Sequence, residues 1–423
     1  MTWEQRYRLW HWAGTSLVLW AALSLAAALA CAPAVLWLDR ATGWAVFRYT
    51  PDGARAVLGT LAGSMLTFIV FVLSATLIVV QLASGQLTPR VIALVLAKPG
   101  VKVALGTLTF TYTYTLAALG RVEERVPDLH VSVAVLLNLL CIVVFFLFVQ
   151  RLSVGLRPGS LTLLVAAHGR EVIEQVYPVV YDPTRGEEAT TRELPPTPTA
   201  VVEVATGSGV VMAFSAGHLA RVARDAGAVV ELVPQVGDSV ARGDPLVRVY
   251  GGTRRFSESA LRGCVAVGTE RTLTQDPRFA FRILVDIANK ALSPAINDPT
   301  TAVLVLDQID HLLLCLGKRR LDEGVARDAD GNPRVVYGTP DWPDYVTLAV
   351  TEIRHYGQGS LQVYRRLRAM LMHLIRELPE ARRPPLEKEL ALLGTAVERG
   401  FPNEEDRQRA GVADAQGVGG SES

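Results

Sequence analysis

Five polar side chains lie close together in the sequence: Gln275, Asp276, Asp286, Asn297 and Asp298. Carboxylates and amides of this kind can move protons or hydrogen-bond a small ligand. Catalysis asks for more: a nucleophile with a base, paired histidines, a metal-ligand set or a phosphate loop. The sequence offers none of these, and His355 stands alone. The same residues also have a structural reading. Asp276-Pro277 and Asp298-Pro299 each place a carboxylate where it caps a helix, followed by a proline suited to the first helical turn. Between them, Ser293-Pro294 stops one helix, because a residue before proline avoids helical geometry. Asn297 then has no assigned role. A second candidate, Asp328, Asp330 and Asn332, has the alternation of a calcium loop. Its twelfth position is Thr339, where a bidentate Glu is needed, so a hairpin turn fits better. The four cysteines (Cys31, Cys141, Cys264, Cys315) form no CxxC pair, which points away from zinc and from a disulfide framework. No metal and no cofactor is expected.

The elements that must hold these residues fall into two halves. A net charge of +1 and a mean hydropathy of +0.27 over 423 residues suit a membrane part joined to a soluble part. Near-neutral charge gives no support for a nucleic-acid partner. Residues 1–155 read as a transmembrane domain with helices at about 13–37, 57–83, 103–119 and 129–150. The third segment alternates Thr and Tyr, a strand-like composition. A lone strand cannot satisfy its backbone in a bilayer, so a helix is expected. Trp3, Trp10, Trp12 and Trp37 flank the first span as interfacial anchors. Arg6, Arg8, Arg90, Lys98, Lys102 and Arg151 mark the cytoplasmic face, which puts both termini in the cytoplasm of a bacterial cell membrane. Pro89 is expected to end the second span. Within that span, Ser64, Thr67, Phe71, Ser74, Ile78, Gln81 and Gly85 are spaced by three and four. Ser64, Thr67, Ser74 and Gln81 therefore form one candidate face, for helix packing or for a water-filled path.

A connector with a Pro/Thr-rich linker, 156–200, precedes the soluble half. Residues 201–252 carry strand patterns around VGDSVARGD and resemble the biotinyl/lipoyl-like barrel-sandwich fold. Carriers of that kind need an attachment lysine, and residues 103–289 contain none. A structural, ring-forming or ligand-sensing module remains. Residues 253–400 read as a mainly helical domain. Two apolar stripes stand out: Ala280/Ile283/Leu284/Ile287/Ala288/Ala291 and Ala302/Val305/Leu306/Ile309/Leu313/Leu316. The polar, Gly-rich tail, 401–423, is expected to be disordered. The fold class is thus an α-helical transmembrane bundle, a small β module and an α-helical cytoplasmic domain.

Three stretches carry a family resemblance: SATLIVVQLASGQLTPR, VGDSVARGDPL and RTLTQDPRFAFRILVDIANKALSPAINDPTTAV. Together they resemble a family of predicted bacterial integral membrane proteins known as a domain of unknown function. The resemblance implies a membrane location and supplies no catalytic residue. From the residues themselves, an oligomeric channel- or transporter-like protein with a gating or sensing cytoplasmic domain ranks first. A membrane-anchored scaffold or signalling protein ranks second, and an enzyme built on the 275–298 region third. The expected partners are the lipid bilayer and further copies of the chain, with any small ligand or ion unidentified.

Overall fold

The structure is a computed structural model. It describes residues 2–419 apart from 43, 45, 87–98, 156, 184–193, 206, 253–255 and 322–323. The helix end expected at Pro89, and the basic residues Arg90 and Lys98, lie outside the described residues. The chain forms two compact units. One holds His11–Ser160; the other combines Met1–Trp10 with Leu161–Ser423. Residues 1–10, read from sequence as part of the membrane domain, thus pack with residues 161–423. Helix α1 (Trp3–Thr15) begins there, and the Glu4 N–H donates to the Gly263 carbonyl at 3.0 Å.

The unit of residues 11–160 is helical. It contains α2 (Leu17–Thr42), α3 (Pro51–Gln86), α4 (Pro99–Leu119) and α5 (Asp128–Gly155). By length and composition, Leu17–Thr42, Pro51–Ile78 and Asp128–Arg151 are apolar enough to cross a membrane. Helix α4 is not among them, and its sequence explains why: its threonines and tyrosines lower the hydropathy. It is a helix all the same, and several of its polar groups are paired. Thr115 Oγ1 accepts from Asn138 Nδ2 at 2.9 Å and donates to the Thr111 carbonyl at 2.7 Å. Cys141 Sγ donates to Thr111 Oγ1 at 3.2 Å, and Tyr114 Oη meets His130 Nδ1 at 2.6 Å. Thr111, Tyr114, Thr115 and His130 are fully buried. The positions Thr111 and Thr115 are one helical turn apart, so both hydroxyls meet α5. Hydroxyls that bond back to their own helix or across to a neighbour are compatible with an apolar solvent.

The second unit continues with α6 (Pro158–Val176) and then builds two sheets. The strands are β1 (Ala200–Glu203), β2 (Gly209–Phe214), β3 (Ala228–Leu232), β4 (Ser239–Val240), β5 (Pro245–Gly251), β6 (Val265–Gly268), β7 (Val325–Arg327) and β8 (Pro333–Tyr337). One sheet has the order β1-β5-β3-β8-β7; the other is β4-β2-β6. No closed barrel forms among the described residues, so the barrel-sandwich expectation is corrected to an open arrangement. The β module also outgrows 201–252. β6, β7 and β8 come from the segment read as helical, and β8 pairs in parallel with β3. Such pairing between distant segments leaves no local periodicity to read. The two Gly-Asp turns are as expected: Gly237 and Gly243 have φ of 93° and 92°. Asp238 and Asp244 each accept a backbone N–H three residues back, from Gln235 at 2.8 Å and Ala241 at 2.7 Å. Helix α7 (Ala216–Asp225) buries Leu219, Ala220 and Ala223 against Val230, Leu232 and Val335.

The remaining helices are α8 (Glu258–Arg262), α9 (Pro277–Ala291), α10 (Pro299–Gly317), α11 (Trp342–Tyr356), α12 (Leu361–Glu377), α13 (Arg383–Gly400) and α14 (Glu404–Ala410). Both sequence-read stripes are buried: every residue of the α9 and α10 sets is at most 3% exposed. Each buried Leu or Ile of this kind contributes about 1.5–3 kcal/mol. α10 is also long and apolar enough to cross a membrane, but it is mostly buried inside this unit. Its polar residues pair across helices. Arg366 of α12 donates to Asp307 at 2.6 Å and to Asp310 at 3.2 Å. The tail is ordered as far as residue 419, contrary to the expected disorder. The Asp414 carboxylate accepts from the backbone of Gln416, Gly417 and Gly419 at 2.7–3.1 Å, and Gln362 Nε2 donates to the Gly417 carbonyl at 2.7 Å. Asp414 supplies acceptors that a composition count does not reveal.

Candidate functional site

A cavity of about 540 Å³ opens in the unit that holds residues 1–10 and 161–423. Seven elements meet at it, most through their ends. Helix α1 contributes Trp3, Tyr7 and Trp10, spaced on one helical face. Trp3 and Tyr7 are half-buried and Trp10 is exposed at the rim. Trp3 and Trp10, read from sequence as membrane anchors, also line this cavity. The end of α6 supplies Tyr177, the end of β2 supplies Phe214, and the end of β8 supplies Tyr337. The segment Thr274–Arg278 runs along the floor to the start of α9, and Tyr345 comes from α11.

The polar groups here are tied in a definite order. Asp276 is 3% exposed. One of its oxygens caps α9 by accepting the Phe279 N–H at 3.1 Å, and the other takes Arg271 Nε at 2.5 Å. Gln275 Oε1 accepts the Phe214 N–H at 2.9 Å. Arg278 donates to Gln235 Oε1 at 2.8 Å. Tyr177 and Tyr345 share a hydrogen bond of 3.0 Å, and burial, with Tyr177 beside it, pushes the Tyr345 hydroxyl far above its ordinary range. That phenol stays protonated and is no base at neutral pH. Ser215 Oγ lies 2.8 Å from His218 Nδ1, which resembles a nucleophile and its base. The same hydroxyl accepts the His218 N–H as the N-cap of α7. No carboxylate orients His218 among the described residues. The arrangement therefore lacks the third member that a working triad needs.

The structure brings only Gln275 and Asp276 of the five polar candidates to this cavity. Asp286 accepts from Arg282 Nε at 2.7 Å, in a cluster where Arg282 also grips Glu352 at 2.5 and 2.8 Å. Hydrogen bonding from Arg282 holds the Glu352 carboxyl below its ordinary value and pushes the guanidinium up. Asn297 and Asp298 sit in the joint between α9 and α10. Asn297 has φ of +50°, the one non-glycine with positive φ among the described residues. Its N–H donates to the Ser293 carbonyl at 2.9 Å, and the Asp298 N–H donates to the Ala291 carbonyl at 2.7 Å. Asn tolerates the left-handed conformation that reverses a chain at a helix end. Asp298 caps α10 through the Thr301 N–H at 3.1 Å and the Thr301 hydroxyl at 2.5 Å. In the DADGN turn, Asp328 accepts from Asp330 N at 3.0 Å and Asn332 N at 2.9 Å, closing the β7–β8 hairpin. No group of three or more potential metal ligands occurs among the described residues.

The second candidate site is the polar face of α3. Ser64, Thr67, Ser74 and Gln81 are all exposed, whereas Leu58, Met65, Val72 and Thr76 on the other side are buried. Thr67 bonds back to the Gly63 carbonyl at 3.2 Å. Ser64, Ser74 and Gln81 make no hydrogen bond among the described residues. Sequence reasoning passed over Gly59 and Gly63, which share this exposed side; a Cβ added at either meets no atom within 4 Å. Their G-x-x-x-G spacing was the available signal. It also passed over Arg278, which has no motif around it.

Residues 14–373 match the family described as "Predicted membrane protein (DUF2254)". The chain is similar to uncharacterized proteins of Mycobacterium tuberculosis and Mycobacterium bovis. Each is 30% identical over 378 residues, covering 86% of this chain and 71% of the relative. No solved structure matches the chain. With its apolar helices and this match over most of its length, the chain belongs to the DUF2254 family of predicted membrane proteins.

Proposed function

We propose that this protein is a homo-oligomeric, channel- or transporter-like membrane protein whose soluble unit senses a ligand. The observation that carries the reading is the exposed line Ser64–Thr67–Ser74–Gln81 on an otherwise apolar span. A side-chain amide facing lipid with no partner costs several kcal/mol. A second copy, or a file of water between copies, removes that cost. Gly59 and Gly63 let another helix approach closely along the same side. The cavity beside α1 supports the sensing part, since α1 runs to Thr15 and the first span begins at Leu17.

Hydropathy and length support four crossings. Three helices of the membrane unit are apolar enough by themselves, and α4, whose Thr115 pairs with Asn138 of α5, supplies the fourth. Four crossings put both termini on one side, and the basic residues flanking the spans favour the cytoplasm for it and a bacterial cell membrane as the site.

The test is conductance. Purified protein in planar bilayers is expected to conduct, and Ser74→Cys or Gln81→Cys, with Cys31 and Cys141 replaced, is expected to be blocked by a charged, water-soluble thiol reagent. Silence across voltage, tension and pH from protein that is assembled and folded would refute the channel reading. It would leave a scaffold sharing the same helix interface.

A further inference from the structure

We infer that the cavity beside α1 binds a small organic anion with a planar aromatic body. The inference rests on reading the soluble unit as a ligand sensor, and adds the class of ligand.

Two properties of the wall lead there. The first is its aromatic content. Trp3, Tyr7, Trp10, Tyr177, Phe214, Tyr337 and Tyr345 make up seven of the 21 lining residues. Aromatics are 7% of the whole chain, so this third is a local concentration. The rings hold fixed positions. Phe214 meets Tyr337 edge-on at 4.9 Å, Tyr177 meets Tyr345 edge-on at 6.5 Å, and Trp3 stacks on Tyr7 at 5.3 Å. Rings held this way present faces and edges to a planar guest.

The second property is a surplus of donors. Four acceptor atoms at the wall are already used: Gln235 Oε1 by Arg278, Gln275 Oε1 by Phe214, and both Asp276 oxygens by Phe279 and Arg271. Asp276 is also neutralised, because Arg271 pairs with it. Two side chains keep donors to spare. Arg278 has five N–H groups, and its one partner among the described residues is the neutral Gln235 amide. Gln275 Nε2 has no partner among the described residues. The cavity therefore holds one unbalanced positive charge beside a free amide donor. A carboxylate or phosphate accepts from both, and Arg binds either in a two-pronged manner. The volume of about 540 Å³ suits a metabolite-sized guest.

The experiment is isothermal titration calorimetry on the full-length protein in phosphatidylcholine nanodiscs, with three probes. Indole-3-carboxylate carries both features, indole-3-carboxamide lacks the charge, and cyclohexanecarboxylate lacks the aromatic ring. The expected result is indole-3-carboxylate bound at least tenfold more tightly than either control. Arg278→Gln should erase the preference over the carboxamide, and Arg278→Lys should keep part of it. Arg278 is half-buried on the cavity wall, so both variants are expected to fold, and circular dichroism checks this. Equal binding of acid and amide, no carboxylate binding at millimolar concentration, or a preference that survives Arg278→Gln would each overturn the inference. Nanodiscs containing phosphatidylglycerol separate a soluble anion from a lipid headgroup. Unchanged binding is expected, and competition by that lipid would overturn the assignment to a soluble ligand. Because calorimetry reads ligand alone, its failure is distinct from loss of conductance, which tests the membrane reading.

Discussion

Replacing Gly63 with leucine should strengthen the protomer and weaken the assembly. Gly63 is exposed and a Cβ there meets no atom within 4 Å, so a side chain starts into open space in the protomer. Gly63 lies in the interior of α3, where leucine is the better helix former by roughly 0.5–1 kcal/mol. The protomer should therefore be unchanged or slightly more stable. Across a helix–helix interface the same side chain fills the space that close approach needs. Overpacking of this kind costs about 1–3 kcal/mol, which corresponds to roughly fivefold to 150-fold weaker association. At 100° per residue, Gly63, Thr67, Ser74 and Gln81 share an arc of about 40°, so the effect should follow this face alone. Leu73 is exposed but about 80° round the helix from Gly63, and Leu73→Ala should leave assembly intact. Native mass spectrometry or light scattering in detergent reads the mass of the complex, and thermal unfolding reads the protomer. A Gly63→Leu protein that keeps the wild-type mass would refute the interface. A protomer destabilised by this change would refute the placement of Gly63 on the outside of the bundle.

Two further predictions concern structural uses of polar residues. In the α9–α10 joint, Asp298→Asn keeps a cap for the Thr301 N–H and should change stability little, whereas Asp298→Ala should cost about 1 kcal/mol. At the neighbouring position, Asn297→Gly should be tolerated and Asn297→Val should cost about 1–2 kcal/mol, because a branched side chain resists the positive φ. Chemical denaturation checks both, and an Asp298→Asn protein that folds normally yet loses conductance would show a role beyond capping. The tail should detach in acid. Burial tends to raise the Asp414 pKa, yet hydrogen bonds from Gly419 and Gly417 hold it below its ordinary 3.8. A lowered pKa means that its contribution is complete above 3.8 and is lost as pH falls through the folded value. Hydrogen exchange of residues 411–419 should thus stay slow at pH 5 and quicken below pH 3.8, and Asp414→Asn should quicken it at pH 7. Equal exchange in the variant would refute the anchoring role.

The parts legible in the sequence were those whose cause is local. The α9 and α10 stripes repeat at helical spacing, and an Asp-Pro pair marks each start, so both helices and both caps could be read directly. Gly237 and Gly243 turn where Gly-Asp pairs said they would. What escaped depended on distant partners. β8 pairs with β3 across about a hundred residues, and no pattern near Pro333–Tyr337 announces it. The helix around Thr111 and Thr115 was expected despite its strand-like composition, but nothing in the sequence announced Cys141 and Asn138 as the partners of those hydroxyls. The five polar candidates were grouped by proximity in sequence, but α9 separates Asp286 from Gln275 and Asp276, and the joint separates Asn297 and Asp298 again.

The cavity was the least legible feature because its wall is assembled from segments more than three hundred residues apart. Trp3, Tyr7 and Trp10 sit just before a long apolar run, and by position alone an aromatic there reads as a membrane anchor. The same spacing that would float a helix on a membrane surface also lays three rings along one wall of a pocket. The cavity shows the second use: its wall also holds Phe214, Arg278 and Tyr337, two to three hundred residues further along the chain. The arrangement has a consequence for the proposed sensing. A ligand that touches Trp3, Tyr7 and Arg278 together ties the first ten residues to the core of the soluble unit. Those residues lead within a few positions to Leu17, where the first span begins. On the proposed reading, a ligand that binds one position of α1 better than another shifts α1 toward it, and by reciprocity a shift of α1 changes the ligand's affinity.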